Sequence, residues 1–335
     1  MKAIGKAILV GVLTMAMTGV ANVGPARAEE GRVGVAELSP EAEASIDKAL
    51  HYLARTQNED GSWPGTYPEA FTSLSMMAFM VQGHFPDKGV YGKNMTKAVD
   101  FMLKSSKKNG GYMGNNMYAH GLSTLALSEV WGMSGREELR PALKRAVQII
   151  LESQAPNGGW RYDPRPTDAD ISVTVMQIVA LASAREAGIY VPDKTIKKAL
   201  EYVKHNQEPK SGGFGYQGPE SPNMARSAAG VMSLIMAGDR GTAVVKQGLA
   251  YLNSLPDKKF RDESYFFYGH YYAVQAMYQA GDQFYQPWYP KIRDGLLSKQ
   301  QRDGSWDDSP GRSFGTAMGV LIMGVPYRYL PIYQR

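Results

Sequence analysis

The chain contains no cysteine in 335 residues. That absence excludes a disulfide framework, thiolate metal ligands, a cysteine nucleophile and an internal thioester. Excess charge is also small, with 37 Lys and Arg against 32 Asp and Glu. Lys2, Lys6 and Arg27 fall in the first 28 positions, which hold no acid; removing these three leaves 34 basic residues against 32 acids. A net charge near +2 is far from the basic field that a nucleic-acid binder needs, so no nucleic-acid partner is expected. Long apolar runs are scarce as well. One of them, 7–24, follows Lys2 and Lys6 and precedes Ala26, Arg27 and Ala28. This is the pattern of a secretory leader ending in an A-x-A cleavage site. Thr14, Thr18, Asn22 and three glycines interrupt the run, which leaves it short of the about 20 apolar residues of a membrane anchor. The sequence therefore predicts a cleavable signal peptide over 1–28, a flexible mature terminus over 29–38 and one domain over 39–335. The protein is expected to be exported, periplasmic or secreted, with no transmembrane segment after cleavage.

What the sequence has is a repeat, the feature to seek before any motif. Glutamine, glycine and an aromatic recur as Gln57, Gly61 and Trp63; Gln154, Gly158 and Trp160; Gln207, Gly212 and Phe214; Gln300, Gly304 and Trp306. A reduced copy ends at Gly110, Gly111 and Tyr112. The terminal aromatics lie 49, 48, 54 and 92 residues apart, the last gap being two periods. Before each glutamine, apolar residues fall at helical spacing: Ile46, Ala49, Leu50 and Leu53 in the first unit, Leu143, Ala146, Val147 and Ile150 in the third. Charges fill the opposite face, so these are half-exposed helices. After each loop the segments 71–81, 118–130, 171–182, 227–237, 265–280 and 314–323 are nearly uncharged and read as buried helices. Each stops near a glycine (Gly83, Gly132, Gly188, Gly238, Gly281, Gly324), the residue suited to a left-handed helix cap. Six outer–inner hairpins whose end units look like the middle ones need closure rather than polar end caps. The expected fold is all-α, an (α/α)6 toroid around a lumen.

These loops resemble the QW repeat of terpenoid cyclases and protein prenyltransferase β-subunits, and the resemblance covers about 39–324. The chain is also similar to exported bacterial proteins built of prenyltransferase/squalene-oxidase repeats, through Tyr67-Pro68, 117–126, 172–177 and 329–335. The resemblance implies the toroid and gives the loops a structural task, bracing outer helices.

Chemistry is expected where inner helices begin, because side chains there face the lumen mouth. Asp168 and Asp170 are similar to the Asp-x-Asp-Asp box with which class II terpene cyclases protonate an alkene or epoxide. The resemblance puts the acid on Asp170, while Ile171 replaces the last aspartate of the box. Burial of Asp170 beside a second carboxylate would raise the pair's pKa. The other reading of either aspartate is an N-cap of the third inner helix. His120 and His270 lie early in the second and fifth inner helices, close to Tyr118, Tyr268, Tyr271 and Tyr272. They join an aspartate as metal ligands only if the ring gathers them; otherwise they are core residues, and no metal or cofactor is expected. Arg226 and Arg312 open the fourth and sixth inner helices and suit a phosphate or uronate clamp, or an ion pair with Asp168 or Asp170. The segment from Tyr265 to Tyr272, with Phe71, Phe79 and Phe314, offers aromatic faces, and Met76, Met77 and Met80 an adaptable lining; the other reading of both sets is ordinary core filling. The leading expectation is a lumen that takes a small hydrophobic, isoprenoid-like ligand, with protonation-initiated cyclase chemistry. The alternatives are a polysaccharide-active enzyme using Tyr118, His120, Arg226, His270 and Arg312 on a uronate saccharide, and a non-catalytic envelope protein.

Overall fold

The computed structural model describes residues 38–256, 265–327 and 330. The leader expected over 1–28, the stretch after it to residue 37, and all of the 329–335 segment except Leu330 lie outside the described residues. Among the described residues there are twelve α-helices and no β-strand, only two isolated bridges. The first six are α1 (Pro40–Thr56), α2 (Pro68–Met80), α3 (Gly92–Lys108), α4 (Met117–Ser134), α5 (Leu139–Glu152) and α6 (Ile171–Glu186). They are followed by α7 (Asp193–His205), α8 (Met224–Met236), α9 (Ala243–Asn253), α10 (Phe266–Ala280), α11 (Asp282–Lys299) and α12 (Arg312–Met323). None of the described helices is long and apolar enough to cross a membrane.

The two helix classes behave as their patterns require. In α1, α5 and α7 the predicted stripe is buried, for example Leu143, Ala146, Val147 and Ile150. In α2 every residue from 70 to 80 is buried. Even-numbered helices pack in chain order, and α12 returns to α2; α1 lies against α11 and α12 at the same seam. The toroid is closed.

The cap glycines are right at four places of six. Gly83, Gly188, Gly238 and Gly281 have positive φ. Helix α4 instead runs past Gly132 and is capped by Gly135 at φ +65°. Gly324 stays at φ −79° and leads into a 3-10 turn, Val325–Tyr327.

The QW loops brace the outer ring by a repeated set of bonds. Each glutamine Nε2 donates both to its own loop and to the next outer helix. Gln57 reaches Gly61 O and Asn94 O, both at 2.9 Å; Gln154 reaches Gly158 O at 2.7 Å and Thr195 O at 3.0 Å. Gln207 reaches Gly212 O and Val244 O, and Gln300 reaches Gly304 O and Ser45 O across the closing seam. The indole N–H groups of Trp63, Trp160 and Trp306 donate to Leu53, Ile150 and Leu296 O at 2.7–2.8 Å. Their backbone N–H groups donate to Thr72, Thr174 and Thr316 Oγ1. Each such bond between buried groups stabilises by about 1 kcal/mol net and costs more than that to leave unmade. The loop glycine is obligatory, because a Cβ on Gly61, Gly158, Gly212 or Gly304 would strike the backbone of Lys97, Lys198, Gln247 or Lys48 on the next outer helix.

The second hairpin follows the same plan with different residues. Gly111 makes the equivalent approach to Arg145. Lys107 therefore holds the glutamine's place and Met113 the tryptophan's. The Met113 N–H donates to His120 Nδ1 at 3.0 Å, where the first, third, fourth and sixth hairpins use a threonine or serine hydroxyl.

Candidate functional site

Where the inner helices begin, the ring encloses a cavity of about 580 Å³, within the about 300–1,000 Å³ usual for ligand pockets. All six inner helices contribute to it: Phe71 and Leu74, Tyr118 and Leu122, Ser172, Arg226, Tyr268, and Phe314. Opposite members of the ring meet beneath it. Tyr118 of α4 and Tyr272 of α10 bring their hydroxyls to 3.4 Å, and the Tyr272 hydroxyl also points at Met176 Sδ, 3.7 Å away. Tyr272 is fully buried and floors the basin. The rim is aromatic and wet. Tyr67, Tyr162 and Tyr265 keep 40, 45 and 74 % of their surface exposed and also line the cavity. They stand on the first, third and fifth hairpins, so the collar is spread around the ring.

Local chemistry fixes the polar wall. Asn116, Asp170 and Asn223 N-cap α4, α6 and α8, each accepting a backbone N–H at 2.9 Å from the third residue on. Asp170 is thus the predicted cap, and it is more than a cap. Its carboxyl is completely buried, with Oδ2 facing Arg161 Nε at 3.4 Å and the Tyr216 hydroxyl beside it. Burial raises its pKa above the ordinary carboxylate value, against the lowering effect of the Val173 N–H, Arg161 and Tyr216. The expected carboxylate pair does not form. Asp168 lies at the surface, held by Arg161 Nη1 at 2.6 Å and Gln217 Nε2 at 2.9 Å. Arg161 thus separates the two acids, and desolvation rather than a like charge is what raises Asp170.

Between Asp170 and the cavity stands Tyr216. The guanidinium carbon of Arg226 lies 5.2 Å from its ring centroid and that of Arg161 6.0 Å. Arg226 also donates to Ser221 O at 3.0 Å. The phenols of Tyr216, Tyr268 and Tyr118 are all pushed well above their usual pKa, chiefly by burial, and stay protonated.

Of the predicted residues, Tyr118, Arg226 and Tyr268 line the cavity, and Asp170 lies behind Tyr216. The other five are elsewhere. His120 is fully buried and turned to the outer ring, with Nδ1 accepting from Met113 N–H and Nε2 at 3.1 Å from Ala146 O. Since Nδ1 accepts, Nε2 carries the proton and donates. Burial lowers its pKa to about 4. His270 packs beside Phe266 and Trp288, ring centroids at 4.7 and 6.2 Å. Tyr271 is buried against Tyr272. Arg312 turns outward to Asp307 at 2.7 Å and Asp303 at 3.6 Å, not to Asp168 or Asp170. Among the described residues no three His, Asp or Glu gather as a cation site. Sequence reasoning missed Tyr67, Tyr162, Tyr216, Asn116 and Asn223. The signal for the asparagines was present: each holds the place of Asp170, one residue before an inner helix.

Comparison with known proteins agrees with this architecture. The prenyltransferase α/α-toroid domain model matches residues 119–207 and 187–265. Human lanosterol synthase is 27 % identical over 133 residues, 36 % of this chain and 18 % of that protein. Lanosterol synthase erg7A of Aspergillus fumigatus is 25 % identical over 130 residues, 36 % and 17 % of the two. The matches span less than a fifth of either relative's length. Among solved structures, the type II terpene cyclase MstE from Scytonema, in complex with geranylgeranyl dihydroxybenzoate, superposes with a TM-score of 0.58. It is 16 % identical and covers 86 % of this chain and 98 % of its own. The α-1,6-mannanase of Salegentibacter sp. HEL1_6 reaches 0.67 at 8 % identity, covering 85 and 98 %. Both likenesses are of fold. In loop motif, architecture and sequence match, the chain resembles the terpenoid cyclase and prenyltransferase superfamily of α/α toroids.

Proposed function

We propose that the protein binds an isoprenoid-like lipid in the mouth cavity and protonates it through Asp170 and Tyr216. The observation that carries this reading is a basin walled by aromatic faces, with a buried carboxyl whose pKa desolvation raises lying behind one of them. In this mechanism the Tyr216 hydroxyl gives its proton to the ligand and takes the proton of Asp170 in the same step. The carboxylate left behind faces Arg161, whose charge offsets the new negative charge. Tyr118, Tyr268, Phe71 and Phe314 offer ring faces to the cation formed, each stabilising it by about 0.5–2 kcal/mol. The sequence likeness to lanosterol synthases supports the ligand class.

Asp170→Asn keeps a cap oxygen for the Val173 N–H but has no proton to give, and Tyr216→Phe removes the relay. Both variants are expected to bind polyprenyl lipids within about threefold of the parent and to lose about 10²–10⁴ in product formation. Unchanged turnover in both would sink the acid assignment.

One observation favours a second reading, a saccharide ligand. Tyr67, Tyr162, Asn116, Asn223 and Arg226 put hydroxyls, amides and a guanidinium at the rim, and the mannanase neighbour supports sugar handling by this fold. Melting curves with polyprenyl lipids and with uronic-acid oligosaccharides separate the two, because only a bound ligand raises the midpoint. We also infer export. A secreted or periplasmic product beginning at Glu29 is expected on N-terminal sequencing, and a cytoplasmic product retaining Met1 would overturn it.

A further inference from the structure

We propose that the crevice between the outer helices α3 and α5, which shares no lining residue with the mouth cavity, binds a phosphate group. The proposal is independent of the reading of the mouth cavity. The crevice has a volume of about 460 Å³ and is lined by Leu103, Ser106, Lys107, Gly110, Glu138, Ala142 and Arg145.

Its origin is a missing side chain. At four junctions of the outer ring a glutamine donates to a carbonyl three residues before the one its loop glycine approaches. Gln57 bonds Asn94 where Gly61 meets Lys97, and Gln154 bonds Thr195 where Gly158 meets Lys198. Gln207 bonds Val244 where Gly212 meets Gln247, and Gln300 bonds Ser45 where Gly304 meets Lys48. In the second hairpin Gly111 meets Arg145, and the same offset leads to Ala142, a residue of the crevice wall. Lys107 occupies the glutamine's position but makes neither bond. The crevice opens at the place where the glutamine brace sits elsewhere.

What lines it identifies the ligand. Lys107 and Arg145 are exposed, and neither is in an ion pair among the described residues. Ser106 is fully buried, and its hydroxyl has no hydrogen-bond partner. A buried hydroxyl without a partner is uncommon and calls for one. An ammonium, a guanidinium and a hydroxyl on three separate residues make a tripod of donors. A tetrahedral oxyanion presents three or more acceptor oxygens to such a tripod, whereas a carboxylate presents two. Glu138 is the one acid on the wall, and its carboxylate is held by Arg136 Nε at 2.7 Å. A free phosphate ion and a phosphate monoester share this chemistry.

The test is the melting temperature of the purified protein against inorganic phosphate and against glycerol 3-phosphate, with sodium chloride holding ionic strength constant. A saturable rise of a few degrees is expected for the parent. The rise should vanish in Arg145→Ala and in Lys107→Gln, both at exposed positions. Lys107→Gln should also melt higher than the parent without phosphate, because it restores the missing brace. A rise with both ligands assigns a phosphate monoester site, and a rise with inorganic phosphate alone assigns the free ion. No rise in the parent, or an equal rise in the parent and both variants, would overturn the proposal, the latter being a general solute effect.

Discussion

The second and third hairpins share one plan and meet its three joints with different chemistry. The third uses Gln154 to tie loop to neighbour, Trp160 to plug the hairpin and Thr174 to receive the loop N–H. The second uses Lys107, Met113 and His120, and only the last joint is still bonded. There one imidazole does two tasks, accepting from Met113 and donating to Ala146 O. Tyr112 stacks on it at 4.9 Å. The difference teaches that the fold requires the backbone N–H to be satisfied, by whatever acceptor is at hand. It does not require the glutamine brace, whose loss leaves a crevice and not a broken ring.

The comparison is broken most severely by emptying the third plug. Trp160→Ala removes a fully buried indole and leaves Ile150 O without its donor. A loss of about 3–5 kcal/mol is expected in urea denaturation, and a loss under about 1 kcal/mol would show that the plug does not hold the hairpin.

Acid sharpens the comparison next, because of these two hairpins the second alone puts a titrating group at the joint. The folded-state pKa of His120, about 4, lies below the ordinary 6.5, so the unfolded chain takes up a proton that the folded chain refuses. This group's effect is absent above about pH 6.5; stability then falls as pH drops from 6.5 to 4, by about 3 kcal/mol in all. His120→Thr puts at this joint the residue that serves at Thr174. The stability of parent minus variant, followed from pH 7 to pH 4, should lose that amount. A flat difference would show that His120 is not held neutral.

The smallest effect compares the braces themselves. Gln154→Ala removes two bonds and should cost about 1–3 kcal/mol. Lys107→Ala, at the equivalent place with no bond to lose, should stay within about 0.5 kcal/mol in phosphate-free buffer. Equal costs at the two positions would contradict the register that pairs them.

Much of the mouth was not legible in the sequence, and Tyr118 with His120 shows why. The two are neighbours on the second inner helix, and both were read as facing the lumen. Two residues along a helix turn the side chain by about 200°, so Tyr118 looks into the cavity and His120 into the outer ring. Tyr162 and Tyr216 were missed for another reason. They lie in loops between outer and inner helices, and only closure of the ring brings those loops over one basin. The pair Asp168 and Asp170 failed as a pair because Arg161, seven residues before Asp168, folds back between them.

The outer helices were readable because one face is charged and the other apolar, which states how each is rotated. Six hairpins, their order, their closure and the loop glycines likewise follow from the repeat alone. The inner helices are apolar on every side, so nothing in their pattern says which face meets the lumen. That rotation was decided by packing: Thr174 and His120 turn outward because buried loop N–H groups must be met there. The faces left over form the mouth.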